Sequence, residues 1–401
     1  MDNKNVFVAI ALSMSVLLFW AAFFETPKPT KDNIVQEQKE MDEDKITPSI
    51  SESFKIETVS REDALKNSKR IKIENNSIIG SMTLKGAVID DISFKKHKQN
   101  LENNLNVEFL NPAQTENGFY VETGWTSIGN KIKVPSNKTI WKVVGNNILH
   151  NNQPINLEWS NGNGIIFKKK IELDDKYLFK ISQQVQNNTN QPVDLYPYAQ
   201  ITRNKIPDDI QNFYISHEGF IGVFDEELKE DDYDDIQEKK IVREANEGWL
   251  GITDKYWMTA VVPEKGENFK STFLYKDAFK ANYILNNPTT IAPSSSNSNN
   301  VRLFVAAKEV QTIDNYAENQ NINKFDLVID WGWFYFFTKP LFFIIDYLFK
   351  YSGNFGIAIV IITIGIRLIF FPLANYSFRS MAKMKAVQPE MMRLKELHKE
   401  D

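Results

Sequence analysis

Residues Phe355 to Leu373, FGIAIVIITIGIRLIFFPL, form a run of nineteen with a single charge, Arg367, set well inside it. At ~1.5 Å per helical residue the run reaches roughly 28 Å, enough for the hydrocarbon core of a bilayer. An arginine near the middle of such a helix costs on the order of 2.5–3.5 kcal/mol on insertion scales, so a charge kept there reads as functional. Thr363 lies one turn earlier on the same helix face, and Pro372 follows five residues later. Two readings of Arg367 stand side by side. In one, the side chain snorkels to the membrane edge, since only about 9 Å of helix separates it from Leu373. In the other, it holds a positive charge in a polar notch facing other helices, ready for an acidic partner.

A second uncharged run of nineteen, Val6 to Phe24, suggests another span. A secretory signal has a shorter apolar region and a small-residue cleavage site. Here the run closes on Trp20-Ala21-Ala22-Phe23-Phe24, which suits an uncleaved anchor with an interfacial tryptophan. Residues 1–5 precede this anchor (6–24). Residues 25–54, with prolines at 27, 29 and 48 and dense charge, read as a flexible tether. Arg379, Lys383, Lys385, Arg393, Lys395 and Lys399 follow the second span. The positive-inside rule makes that side cytoplasmic, which places the N-terminus in the cytoplasm and everything between the spans outside.

From Lys55 to about Lys308 the pattern changes to short runs rich in β-branched and aromatic residues, such as Ser77–Leu84, Gly118–Thr123, Ile165–Glu172 and Leu178–Val185. Turn signals separate them, among them Asn117-Gly118 and Asn161-Gly162-Asn163-Gly164. Many strands at short spacing, without helical segments between them, predict stacked sheets in a sandwich. Asn187–Asn190 and Pro293–Asn300 read as exposed connections, and Lys308–Asn321 as a helix closing a domain over 55–325. The formal net charge of -5 is local, because Asp225–Glu238 holds nine acidic residues against one lysine. That run reads as a solvated loop, with a cation site as its rival, and it argues against direct nucleic-acid readout.

No phosphate-binding loop, GxSxG elbow, GxGxxG turn or HExxH pair occurs, and the absence of cysteine removes thiol chemistry. No cofactor is called for. His97, His150 and His217 are the histidines of the middle region. Gly248-Trp249-Leu250-Gly251-Ile252 and Tyr256-Trp257 read as buried strand aromatics, with a ligand platform as the rival reading. A membrane-anchored periplasmic carbohydrate-binding or mutarotase-like enzyme predicts a carboxylate-lined cleft that holds one of these histidines. A scaffold that recruits a translocon predicts an apolar or sealed one.

Residues 331–351, WGWFYFFTKPLFFIIDYLFKY, are apolar and aromatic except for Lys339, Asp346 and Lys350, spaced to share a helix face. A helix with one polar stripe is expected to lie in the membrane interface, with Thr338 as its cap and Pro340 in its first turn. The span is expected over 355–374 and a cytoplasmic helical segment over 375–401, broken at Pro389.

The stretch from Trp331 to Met391 resembles the YidC/Oxa/Albino-type membrane insertases. Arginine within TxxxRxxxxPL, then SMAKM, then QP carries the likeness. The resemblance implies a multi-pass inner-membrane protein of α plus β class, working as an insertase and chaperone without a covalent reaction. Its parts would be an N-terminal transmembrane helix, a large periplasmic β-supersandwich, an interfacial amphipathic helix, a second transmembrane helix and the start of a cytoplasmic helical hairpin. Arg367, Thr363 and Pro372 would belong to a hydrophilic groove that receives substrate. Met381, Lys383, Met384, Gln388 and Pro389 would belong to a cytoplasmic interaction segment. Implied partners are nascent inner-membrane proteins, the lipid bilayer, the Sec translocon with accessory subunits, and the ribosome or signal recognition particle pathway. The family's core has five spans, of which this sequence carries the first, so the chain is expected to continue past Asp401 in its native gene.

Overall fold

The computed structural model describes residues 58–397 apart from 101, 103, 131, 209, 211–215 and 333. The expected anchor at 6–24 and tether at 25–54 lie outside the described residues.

Two long twisted sheets face each other. The eleven-stranded sheet runs, in spatial order, Ile241–Ala245, Phe269–Lys276, Ala278–Leu285, Val193–Arg203, Phe119–Thr126, Val88–Lys98, Ile78–Thr83, Arg70–Glu74 and Ile148–His150. Thr289–Ile291 and Asn106–Leu110 pair onto its middle. The nine-stranded sheet runs Glu227–Asp231, Gly219–Phe224, Gly248–Thr253, Trp257–Pro263, Ser295–Ala307, Leu178–Asn187, Ile165–Leu173, Ile155–Ser160 and Lys142–Val144. Pairing is antiparallel except between Arg70–Glu74 and Ile148–His150.

Alternation dictates which side chains fill the space between. In Ile165–Leu173 the inward set is Ile165, Phe167, Lys169, Ile171 and Leu173, while Ile166, Lys168, Lys170 and Glu172 are more open to solvent. Lys169 breaks the apolar rule. Its Nζ donates to the carbonyl of Thr123 at 2.7 Å and lies over the Trp141 ring. Burial pulls its pKa down to about 7. Gly248 shows how tightly strands meet elsewhere: its φ is +141°, and a Cβ there would lie 1.8 Å from the Val223 carbonyl oxygen.

Asn75 ties the sheets together at one end. Its Nδ2 donates to the carbonyls of Asp174 (2.7 Å) and Lys176 (2.9 Å), while its Oδ1 accepts from the amides of Ser77 and Ile78. The core closes over this end with the helix Val310–Asn319, whose Ile313 and Tyr316 join the main apolar cluster with Phe325 and Val328. The Tyr316 hydroxyl donates to Asp174 at 2.6 Å and accepts from the Tyr177 amide.

Five helices are described: α1 (Arg61–Lys66), α2 (Tyr233–Glu238), α3 (Val310–Asn319), α4 (Tyr335–Ser352) and α5 (Phe355–Leu397). Several local expectations need correction. The acidic run is not a loop: it forms the strand Glu227–Asp231 and then α2, because Tyr233 and Ile236, three apart, bury on one side. Pro293–Asn300 is a connection only at its start, since Ser295 opens a thirteen-residue strand paired along Leu178–Asn187. Thr338 does not cap α4. It lies inside the helix and donates its hydroxyl to the Trp331 carbonyl, and Pro340 is the sixth helical residue.

Gly353, at φ +68°, ends α4 in the left-handed conformation that glycine adopts without strain. Asn354 then accepts from the Ile357 amide and starts α5. Helix α5 runs unbroken for 43 residues through both Pro372 and Pro389, so neither the expected end of the span at 374 nor Pro389 interrupts it. Proline's fixed φ is itself helical, and the cost is one lost backbone bond. Around Pro389 the helix is exposed, where the carbonyl left unpaired can be met by water.

Candidate functional site

Helix α5 is the helix, among the described residues, that is long and apolar enough to cross a membrane. Its first half carries large exposed side chains on every side, including Ile359, Ile364, Leu368 and Phe371. Arg367 is exposed within this greasy surface and has no hydrogen-bond or ion-pair partner among the described residues. Thr363, one turn away, donates its hydroxyl to the Ile359 carbonyl at 2.7 Å, so its proton is satisfied within the helix. Pro372 is likewise exposed. The helix therefore brings Thr363 and Arg367 to one side and supplies no counter-charge.

Farther along α5, Met381, Met384 and Gln388 share a face by their spacing, with Met392 continuing it. All three methionines are more than half exposed. Lys383 falls on the opposite face with Arg379, and Pro389 lies between the two. The result is a flexible apolar stripe backed by a basic one.

The polar stripe of α4 meets the β domain. Lys339 Nζ reaches Asp314 Oδ1 at 2.9 Å and Asp326 at 3.8 Å, and it lies over the rings of Tyr335 (5.6 Å) and Trp331 (6.0 Å). Burial opposes its charge, but the two carboxylates outweigh it and hold its pKa above the ordinary lysine value. Asp346 accepts from Gln311 at 2.9 Å and pairs with the more exposed Lys350 at 2.7 Å. The spacing found the stripe. It gave no sign of Asp314, Asp326 or Gln311, which belong to other elements and reach it only through the fold.

The β domain has an open cleft of about 590 Å³ where strand ends of both sheets meet, with Glu108, Asp208, Glu218, Asp254 and Trp257 in its lining. None of the three histidines lines it. His97 Nε2 lies 3.4 Å from Glu309, His217 Nε2 lies 2.9 Å from the Phe220 carbonyl, and His150 is exposed. Among the described residues no group of His, Cys, Asp and Glu could hold a metal ion. Trp249 is fully buried, whereas Tyr256 is 59% exposed, so the expectation of buried aromatics holds for the first and fails for the second.

Comparison with known proteins follows the same division of the chain. A family model described as the YidC periplasmic domain matches residues 70–344, and one described as 60Kd inner membrane protein matches residues 347–401. Membrane protein insertase YidC of Pelagibacter ubique (strain HTCC1062) is 49% identical over 401 residues, covering 100% of this chain and 72% of that protein. The protein of the same name from Bradyrhizobium diazoefficiens is 36% identical over 439 residues, covering 100% of this chain and 71% of that protein. Among solved structures, a galactose mutarotase related enzyme from Lactobacillus acidophilus aligns over 59% of this chain and 97% of its own, with 13% identity and a TM-score of 0.41. Two family models that together span most of the chain, with full-length matches at 49% and 36% identity, establish that this chain belongs to the family of YidC membrane protein insertases.

Proposed function

We propose that this inner-membrane insertase receives its substrates at Arg367. It is not an enzyme in the covalent sense: its work is to move apolar segments of nascent membrane proteins from water into lipid. The observation that carries the proposal is a lone, exposed arginine on the apolar half of α5 with no partner among the described residues. In a groove walled by further helices, that guanidinium would attract the carboxylates of a substrate's short acidic tail. At about 4 Å and an effective dielectric near 20 such a pair gains roughly 4 kcal/mol. A membrane potential adds ~2.3 kcal/mol per charge per 100 mV, and burial of the apolar segment in lipid supplies the rest. Thr363 would share the groove wall, and Pro372 would set the course of the helix at its exit.

In this reading α5 spans the membrane with its basic and methionine-rich end in the cytoplasm, where Met381, Lys383, Met384, Gln388 and Pro389 meet substrate, ribosome or targeting factors. Helix α4 lies in the outer interface, and the β domain is periplasmic. Residues 6–24 anchor the chain with the N-terminus inside. The protein would serve substrates both alone and beside the Sec translocon.

The test is complementation of insertase-depleted cells by the full-length gene, with expression checked, beside Arg367→Ala and Arg367→Lys. Rescue by lysine but not by alanine is expected. Full rescue by alanine would reduce Arg367 to a snorkelling residue and remove the groove charge from the mechanism.

A further inference from the structure

The turn 264–268 carries the chain from Trp257–Pro263 in the nine-stranded sheet to Phe269–Lys276 in the eleven-stranded one. Gly266 supplies its left-handed residue at φ +87°, and the Glu267 amide donates back to the Glu264 carbonyl at 3.3 Å. Lys265 lines a groove of about 520 Å³ together with Asp314 of α3 and Lys339 of α4, so the turn borders the seat of α4. Glu267 is the partly buried member of the turn. Both of its carboxylate oxygens accept from one group, the Nδ2 of Asn299, at 3.0 and 2.9 Å.

Asn299 belongs to Ser295–Ala307, the strand beside Trp257–Pro263, and is 2% exposed. Its Oδ1 has no donor among the described residues. Gln183, its cross-strand neighbour, does not supply one, since neither atom of that carboxamide forms a hydrogen bond. The titratable groups that face Glu267 give no help to a negative charge. Glu264 stands in the same turn, and the buried Tyr283 hydroxyl, also without a partner, comes from Ala278–Leu285 in the other sheet. Lys265 pairs instead with Glu247 at 3.6 Å, and no lysine or arginine among the described residues offsets the Glu267 carboxylate. Burial, and then the charge of Glu264, push its pKa up from 4.5 to about 7.

An ionised carboxylate in this place meets one amide and a second carboxylate, and leaves a buried carbonyl oxygen unmet. A carboxylic acid meets both halves of the amide: its carbonyl oxygen accepts from Nδ2 while its hydroxyl donates to Oδ1. We infer that the turn 264–268 is a proton-operated latch between the two sheets. With its proton Glu267 clasps Asn299 and the turn is closed; when the proton passes to solvent, the carboxylate swings out into water and the turn opens. The latch is independent of Arg367 and of the insertion reaction. A carboxyl whose folded pKa lies above its unfolded value stabilises the closed turn in full below pH 4.5 and loses that contribution as pH rises through about 7. Between the two values each pH unit multiplies the open fraction by up to about ten.

Hydrogen exchange on the detergent-solubilised full-length protein tests this, run from about pH 5 to about pH 8 with rates corrected for the intrinsic pH dependence of exchange. The reporters are peptides holding the Glu267 amide and the Asn286 amide, which donates to the Asn268 carbonyl at 3.1 Å. Their protection should fall about tenfold or more across that range in the wild type. In Glu267→Gln, whose carboxamide gives and takes the same two bonds without a charge, it should stay high throughout. Glu264→Gln alters an exposed side chain and removes the repulsion, so the midpoint should move down by about half a pH unit. Flat protection in the wild type would overturn the latch, as would the same pH response in Glu267→Gln. Should Glu267→Gln melt early, the midpoint of Glu264→Gln decides alone, and a midpoint that stays in place rejects Glu267 as the titrating group.

Discussion

Replacing Lys339 by methionine keeps the aliphatic stem and removes the charge that joins α4 to the β domain. The Lys339 and Asp314 side chains are 18% and 22% exposed. Breaking a fully buried pair costs ~3–5 kcal/mol, while exposed pairs contribute ~0–1, so a pair at this depth should be worth about 2 kcal/mol. Loss of the Tyr335 and Trp331 ring contacts adds about 0.5–1 kcal/mol. The lost interaction belongs to the docking of α4 on α3, not to the β core, so it should appear as local opening. Hydrogen exchange on the solubilised full-length protein is the assay. Amides of α3 and of the first two turns of α4 should exchange roughly a hundredfold faster in Lys339→Met, while the strands keep wild-type protection. Asp314→Asn should act similarly, and the double variant should fall short of the sum by about 1–2 kcal/mol. Wild-type exchange at α3 and α4 in Lys339→Met, or full additivity, would refute the idea that this ion pair holds the two units in register.

Asn75→Asp should cost about 2–4 kcal/mol in urea unfolding followed by tryptophan fluorescence, because the carboxylate faces the carbonyls of Asp174 and Lys176 with no proton to donate; a loss below about 1 kcal/mol would contradict the cross-sheet role given to this residue. Glu309, beside His97, has its pKa held down to about 2 from the usual 4.5, with Thr312 and Tyr177 assisting and burial opposing. A depressed carboxylate stabilises the fold above its unfolded pKa and loses that contribution as pH falls through its folded one. The α3 end of the domain should therefore weaken between pH 4.5 and about 2, and Glu309→Gln should flatten that part of the stability profile. An unchanged acid limb in Glu309→Gln would show that the carboxylate is not the group responsible.

The β architecture was legible because alternation repeats in long strands: Ile165–Leu173 and Leu178–Asn187 cover the runs that periodicity marks. Helix α5 was legible for the same reason, a pattern sustained over many residues. Short elements were not. In α2 two buried residues, Tyr233 and Ile236, outweigh the charges around them, and a count of acidic residues cannot register that. Pro389 misled because the penalty for proline in a helix is an average, small enough here for the rest of α5 to absorb. The stripe of α4 was visible as spacing, yet its partners Gln311, Asp314 and Asp326 lie some 13 to 35 residues away from it in sequence, brought near by the closure of α3 on the sheets. The cleft was out of reach for a stronger version of that reason. Its walls come from segments about 150 residues apart, from Val107 to Trp257, and no local pattern announces such a convergence.

The unbroken course of α5 makes it a shaft as well as a span. From Pro372 to Met392 there are twenty residues, about 30 Å of helix. Pro372 lacks the amide that would bond back one turn, so flexing concentrates there. A 10° bend at that point swings Met392 through about 5 Å while Arg367, on the near side, stays with the membrane half. On the proposed reading, a partner docked on the methionine stripe would be felt within one turn and a half of the arginine, with the proline setting how much of it arrives.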